Sequence, residues 1–452
     1  MNNQTRVDVE EVLGQMPVGG YRIAVFALAV LLAMLDGIDN VTLGLVAPAL
    51  SAELQIPKTD LAAVFTATLV GLTVGAMVLG PAGDKWGRRP AILACAAFFG
   101  VFTLAIHYVQ GLNMLILFRF LAGIGIGGLL PNICALVSEY SPNKHKQTGV
   151  LVVSGGIAAG AMLGGILASF IEPAFGWRSL FMVAGGITIF ALLVAIVLLP
   201  ESIRFMAARN PADPDVYRLL KRAVPSADIP RDARWIVSGR SAGGTFRQLF
   251  AGGMAVTTIV LWVSYILVLS TMYLLFQWLP TLARDFGFSP AMATYASTVF
   301  NLGGMVGSII LGPMAARWGA YRVSAINFLL IIPGVIALAY SRDMQMLLLF
   351  SSFVTGWTIM GGLGVINALT TDAYPTASRS TGLGWASGVG RLGSSLSPSF
   401  IGWLMVSDGW TPHDILMLPI VPAIILTIAV VTVGSLNRKQ AATVSGIAAT
   451  HI

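Results

Sequence analysis

Charge is scarce in this chain. Asp, Glu, Lys and Arg make up 10% of its 452 residues, against roughly 25% in an average soluble protein. A soluble fold of this length could not cover its surface with so few charges, and a hydrophobic share of 56% excludes a disordered chain. Cysteine is nearly absent. Cys95 and Cys134 both fall in apolar stretches, so no disulfide framework is present and each reads as a small packing residue. The four histidines, His107, His145, His413 and His451, show no metal-ligand spacing. No phosphate-binding glycine loop with its lysine, haem-attachment motif, nucleophile elbow or zinc spacing occurs. Neither ATP-driven transport nor catalysis therefore has support, and no cofactor or metal is implied. The first twenty residues carry Asp8, Glu10 and Glu11 with no apolar core, unlike a secretory signal, so the first apolar helix is expected to be retained.

What the chain has instead is long apolar runs. A helix crossing the hydrocarbon core needs about 20 mostly apolar residues. Twelve windows meet that need: 22–50, 60–82, 90–110, 112–136, 147–170, 177–199, 252–279, 290–315, 321–341, 343–371, 379–405 and 412–436. Several are rich in glycine, which suits close helix packing in lipid. With the N-terminus placed in the cytoplasm, 21 of the 27 Lys and Arg fall on the inside. Four (Lys58, Arg178, Arg284, Arg342) fall outside, and Arg119 and Arg391 lie within spans. The positive-inside rule therefore predicts cytoplasmic termini, and the net charge of +7 reports topology rather than a nucleic-acid partner. The longest gap holds Pro200, Pro211, Pro214, Pro225 and Pro230 among mixed charges. This predicts a six-helix bundle over 1–199, a cytoplasmic connector over 200–251, a second bundle over 252–436, and a short polar tail over 437–452, disordered after Lys439.

The two halves resemble each other. Residues 135–149, ALVSEYSPNKHKQTG, align with 368–382, ALTTDAYPTASRSTG, at an offset of 233, with Glu139 opposite Asp372 and Lys146 opposite Arg379. At an offset of 232, Gly80-Pro81 and Lys85-Trp86-Gly87 match Gly312-Pro313 and Arg317-Trp318-Gly319. Such parallel repeats are related by an axis along the membrane normal. The loop Gly80-Pro81-Ala82-Gly83-Asp84-Lys85-Trp86-Gly87-Arg88-Arg89 resembles the signature loop of the major facilitator superfamily; its second copy has Ala316 in place of Asp84. The resemblance covers nearly the whole chain. It implies an all-α membrane protein, two pseudo-symmetric bundles of six transmembrane helices, alternating access, and a monomer in the bilayer. It also implies that Asp84, Arg88, Glu139, Lys146 and Arg379, at the inner helix ends, form a conformational latch.

An ionisable residue at mid-membrane costs about 2.5–3.5 kcal/mol on insertion scales and so marks function by default. Asp36 and Asp39 lie near the centre of helix 1, Arg119 lies in helix 4 and Arg391 in helix 11. The aspartates are three residues apart and share a helix face. Two carboxylates so close in a low dielectric resist double ionisation, so one is expected to hold a proton near neutrality. The alternative is a static set of Asp–Arg pairs holding helices 1, 4 and 11 together. Arg391 has the uncharged Ala158 as its repeat counterpart, and Asp39 has Thr271 or Met272. A lone arginine in the second half suits an anionic substrate, whose carboxylate it can grip bidentately. Tyr265, Tyr273, Trp357 and Trp385 are candidate aromatic walls, and Gln277 and Asn301 candidate partners for ring substituents.

Leu35-Asp36-Gly37-Ile38-Asp39, Arg119-Phe120-Leu121-Ala122-Gly123, Pro131-Asn132, Leu199-Pro200-Glu201-Ser202 and Gly390-Arg391-Leu392-Gly393 together resemble the aromatic acid:H⁺ symporter branch, of the 4-hydroxybenzoate and benzoate type. Ile38 stands where that branch often has Phe. The resemblance implies proton-coupled import of an aromatic acid across the cytoplasmic (inner) membrane, and similarity to the proton–sugar members of the superfamily implies Asp39 as the protonation site and Arg119 as its partner. A muconate-like dicarboxylate, a neutral metabolite, or a transporter-like receptor are the competing readings.

Overall fold

The computed structural model describes residues 6–15, 19–225, 227, 229–230, 233–237, 246–251, 254–374 and 379–449. Each of the twelve apolar stretches becomes a long helix: α1 Gly20–Leu54, α2 Lys58–Val78, α3 Arg88–Ala105, α4 Leu112–Tyr140, α5 Lys146–Phe175, α6 Trp177–Leu198, α7 Ala255–Asp285, α8 Pro290–Trp318, α9 Ala320–Ala339, α10 Gln345–Ala373, α11 Arg379–Val406 and α12 Ile420–Ala449. Among the described residues, eleven helices are long and apolar enough to cross a membrane. The remaining long one, α11, has the length but carries Arg391, six serines and six glycines. The chain is a multi-pass membrane protein.

Two compact units form, Met1–Thr42 with Ala67–Arg240, and Leu43–Thr66 with Ser241–Ile452. The corner joining α1 to α2 is thus built into the second unit. There Phe65 meets Trp278 edge-on with ring centroids 5.1 Å apart, and the hydroxyls of Thr66 and Ser399 are hydrogen-bonded at 2.6 Å.

Inside each unit, helices touch backbone to backbone at glycines, and the touching points repeat. A Cβ on Gly71 of α2 would run into the Phe120 carbonyl of α4, and one on Gly75 into the Ile124 carbonyl. In the second unit Gly303 and Gly307 of α8 meet the carbonyls of Phe353 and Trp357 on α10 in the same way. Gly123 abuts the Thr68 carbonyl and Gly356 that of Phe300; Gly160 on α5 abuts Met34 on α1, and Gly393 on α11 abuts Ile266 on α7. Every one of these contacts maps onto its partner by the offset of 232 or 233 found in the sequence. Close backbone approach supplies packing that lipid cannot drive by the hydrophobic effect. Gly87 and Gly319, also related by 232, have φ of +105° and +90° and let the chain turn into α3 and α9.

Two terminal regions are more ordered than their composition suggests. In the N-terminal tail, β1 (Arg6–Asp8) pairs in parallel with β2 (Arg234–Ile236) of the connector, and the helix Val9–Gln15 buries Val9 and Leu13. The connector contributes the helices Ile203–Arg209 and Pro214–Ala223, which bury Ile203, Val216 and Leu220 in the same apolar cluster. Trp235 closes it, its Nε1–H donating to the Asp213 carbonyl at 3.0 Å. At the other end, the stretch after Lys439 was expected to be disordered, but α12 continues to Ala449. Alanine at 441, 442, 448 and 449 favours that extension.

Candidate functional site

In the first unit, five helices converge on one buried ion pair. Asp39 of α1 and Arg119 of α4 have side chains 0% and 1% exposed, and Arg119 Nη1 donates to both Asp39 carboxylate oxygens at 3.0 Å. Thr103 of α3 donates from Oγ1 to Asp39 Oδ1 at 3.1 Å, and Arg119 Nε donates to Thr68 Oγ1 of α2 at 3.1 Å. The guanidinium carbon stands 5.8 Å from the centroid of the Phe181 ring on α6. Asp36 is also buried, 6% exposed. Gly37 between the aspartates fits against the Ile157 carbonyl of α5, fixing the rotation of α1 that carries both acids. Thr68 and Thr103 were not anticipated. Hydroxyls abound in these helices and mostly return to their own helix backbone, as Thr73 and Thr188 do, so nothing in the sequence singles out Thr68 and Thr103.

In the second unit Arg391 is half-buried on α11, and among the described residues its guanidinium forms no ion pair. The outward stripe of that helix is Leu392, Leu396, Phe400 and Trp403, each more than half exposed. Arg391 is off this stripe. Trp385, seven residues before Leu392, is on it: 47% exposed and ringed by Phe246 and Trp262 at centroid distances of 4.7 and 6.2 Å. It therefore does not join Arg391, as a six-residue separation on a helix dictates.

The other candidates in this unit are dispersed. Tyr265 is fully buried and donates to Asn367 Oδ1 at 2.5 Å. Tyr273 is half-buried beside Phe276, and Trp357 is half-buried beside Phe353. Gln277 and Asn301 are 2% and 1% exposed. Asn301 donates to the Ser297 carbonyl at 2.8 Å, but its Oδ1, like Gln277 Oε1, is buried without a hydrogen-bond partner among the described residues. Buried acceptors left in this state are costly and ready to receive a donor.

The charges at the inner helix ends meet in part. Arg88 pairs with Asp84 at 2.6 Å, with Glu139 at 3.5 Å, and reaches Asn132 Oδ1 at 3.4 Å. Lys146 opens α5 beyond the short turn Asn143–His145 and forms no ion pair among the described residues, so it stands outside this network. Arg379 opens α11, and its side chain lies outside the described residues. Its repeat neighbour Asp372 is exposed. The network gains instead Glu201 and Ser202. Glu201 Oε1 accepts from the backbone N–H groups of Arg88, Arg89 and Ser202 at 2.8, 3.2 and 2.7 Å, capping the start of α3, while the Ser202 hydroxyl donates to Glu139. Gly87 is needed here twice over, since a Cβ would strike the Glu201 carboxylate.

The chain is 32% identical over 444 residues to the 4-hydroxybenzoate transporter PcaK of Pseudomonas putida, covering 96% of this chain and 97% of that protein. It is 30% identical over 453 residues to the benzoate transport protein of Acinetobacter baylyi, covering 98% and 96%. In fold it is similar to the xylose transporter XylE from E. coli in a partially occluded inward-open conformation, with a TM-score of 0.69 at 14% identity, covering 91% and 97% of the two chains. The sequence model of the Major Facilitator Superfamily matches residues 29–281 and 261–449. With twelve long helices, a repeated set of helix contacts and a match over both halves, the chain belongs to the Major Facilitator Superfamily, and it is a transporter rather than an enzyme.

Proposed function

We propose that the chain is a proton-coupled symporter that imports an aromatic carboxylate of the hydroxybenzoate type across the inner membrane by alternating access, with both termini in the cytoplasm. The observation that carries this reading is Arg391, a half-buried arginine on a long membrane helix whose charge has no partner among the described residues. A planar guanidinium matches a carboxylate in geometry and charge, and relatives at 30–32% identity are named for 4-hydroxybenzoate and benzoate. Asp39 is the coupling acid and Arg119 its counter-ion: protonation of Asp39 releases Arg119, and that release is coupled to carboxylate loading at Arg391. A monoanion entering with one proton moves no net charge, so the pH gradient alone drives it. Asp36 tunes the protonation of Asp39. Gln277 and Asn301 are proposed to accept hydrogen bonds from ring hydroxyls, and Tyr265, Tyr273 and Trp357 to contribute to the aromatic surroundings. Arg88, Asp84 and Glu139 hold one conformation closed, and the protein works as a monomer. The 21-to-4 distribution of basic residues supports the orientation.

The test is calorimetric binding of 4-hydroxybenzoate, benzoate, a phenylpropanoid and an aliphatic dicarboxylate to purified protein. Arg391→Lys keeps the charge and loses the planar fork, and should weaken aromatic acid binding by about 1.5–3 kcal/mol. Arg391→Ala should abolish it. Binding by the Ala variant at wild-type affinity removes the main support for an anionic substrate.

A further inference from the structure

At one end of α6 a cavity of about 370 Å³ opens between that helix and the connector helix Pro214–Ala223; it shares Arg89 and Glu201 with the inner-end network but none of its lining with the Asp39–Arg119 pair or Arg391. Its polar wall is Arg89, Arg218, Arg222 and Tyr21, and its apolar wall includes Val197 and Leu198. The connector helix buries Val216, Leu220 and Ala223 and turns Arg218 and Arg222 outward. Two carboxylates reach the cavity, and both are already engaged. Glu201 accepts the backbone N–H groups at the start of α3, and Asp215 pairs with Arg218 at 2.7 Å. Arg89 spends one nitrogen on the Ile196 carbonyl at 2.6 Å, which leaves its other donors for a second acceptor. Arg222 forms no ion pair among the described residues. Three arginines against two carboxylates leave the cavity a net charge of +1.

Its surroundings tell a soluble anion from a lipid. Phe190, Leu193 and Val197 form one outward stripe of α6, 66%, 57% and 80% exposed, and Leu198 beside them is 54% exposed. An apolar stripe on a membrane-length helix faces acyl chains, and it runs directly into the arginine-lined cavity. That juxtaposition fits an amphiphile with an anionic head. The volume suits a phosphate-bearing headgroup rather than an acyl chain, and guanidinium groups match phosphate geometry.

We propose that the cavity between α6 and the connector helix binds the headgroup phosphate of an anionic phospholipid, with its chains along the Phe190–Val197 stripe. Bound there, the lipid bridges Arg222 of the connector to Arg89 at the start of α3, tying the connector to the helix bundle of its own unit through the membrane itself.

The experiment titrates purified full-length protein in mild detergent with phosphatidylglycerol, phosphatidylcholine or inorganic phosphate, and follows binding by native mass spectrometry and thermal unfolding. Wild type should bind phosphatidylglycerol saturably and unfold at a higher temperature. Phosphatidylcholine should bind far more weakly, and inorganic phosphate should neither bind detectably nor displace the lipid. Each surface arginine is worth about fivefold in binding an anionic lipid, so Arg218→Gln with Arg222→Gln should weaken phosphatidylglycerol binding by roughly twenty-five-fold. Both side chains are on the exposed face of their helix, so the variant should unfold at the wild-type temperature without lipid. Undiminished phosphatidylglycerol binding by the variant overturns the proposal. So does equal binding of phosphatidylcholine. Displacement of the lipid by millimolar phosphate makes the cavity a soluble-anion site and overturns it too.

Discussion

Asp39→Asn separates coupling from binding. The change removes one charge and keeps the shape of the side chain. The amide oxygen still accepts from Thr103 at the position now 3.1 Å away. Arg119, however, keeps its charge in a site where it is 1% exposed and loses its counter-charge, with the amide oxygen and Thr68 as its remaining close acceptors. Removing one partner of such a buried pair costs about 3–5 kcal/mol, so the variant should unfold at a clearly lower temperature yet remain a folded membrane protein. Its effect on transport follows from the gradient. Each pH unit is worth 1.36 kcal/mol per proton, a factor of ten. With one proton per monoanion, an imposed gradient of about two units drives accumulation toward about a hundredfold in wild type. The Asn variant has no titrating group at this position and should equilibrate the substrate to about onefold, while still exchanging labelled for unlabelled substrate. The assay is uptake of labelled 4-hydroxybenzoate into proteoliposomes with an alkaline interior, paired with counterflow at equal pH. Gradient-driven accumulation by the Asn variant at the wild-type level would refute the assignment of Asp39; loss of both uptake and exchange would show that the pair is needed for the architecture rather than for coupling.

Three further outcomes are expected. Arg88→Ala should slow exchange at least tenfold while leaving the dissociation constant within a few-fold, because Arg88 ties Asp84 to Glu139 in a network that includes none of the proposed binding residues; a large loss of affinity at unchanged exchange rate contradicts this. Glu201→Ala strips the acceptor from two backbone N–H groups at the start of α3 and should lower stability by about 1–2 kcal/mol, read as a drop in unfolding temperature, with Glu201→Gln recovering part of it. Gly160→Leu and Gly393→Leu should each fail to yield folded protein, since the added side chain meets the Met34 or Ile266 backbone directly; normal yields of either would show that these helices can separate.

Much of this architecture is legible because the bilayer leaves so few options. Hydrocarbon demands long apolar runs, and most of the twelve windows became helices within a few residues of their expected ends; α7 runs six residues further, to Asp285, and the last window divides into a short helix, Pro412–Met417, and α12, which continues to Ala449. Asp39 and Arg119 were legible as a pair because charge at that depth needs a partner. Trp385 shows the limit: tryptophan is used both for ligands and for lipid-facing surfaces, and only helix phase separates the two. Glu201 shows another. Its role depends on three backbone N–H groups, and two of them lie more than a hundred residues away, so a Glu after a helix end carries no local sign of that duty. The pairing of Arg6–Asp8 with Arg234–Ile236 is equally hidden, because two three-residue strands leave no period to detect.

The glycine contacts carry a consequence for how such a chain can change. What the two halves share is a set of points where backbone meets backbone, at Gly71 and Gly303, Gly75 and Gly307, Gly123 and Gly356, Gly160 and Gly393. What they do not share is their ionisable chemistry: Asp39 faces Thr271 across the duplication, Arg119 faces Ser352, and Arg391 faces Ala158. A side chain is thus excluded at the contact points of the frame, while the ionisable positions between them differ from one half to the other. On the function proposed above, the coupling acid and its counter-ion, Asp39 and Arg119, belong to one copy and the carboxylate-binding cation, Arg391, to the other. If that function holds, substitutions around Arg391 on α11 and around Gln277 and Asn301 on α7 and α8 should change which acid is carried while leaving the Asp39–Arg119 pair in the first copy untouched.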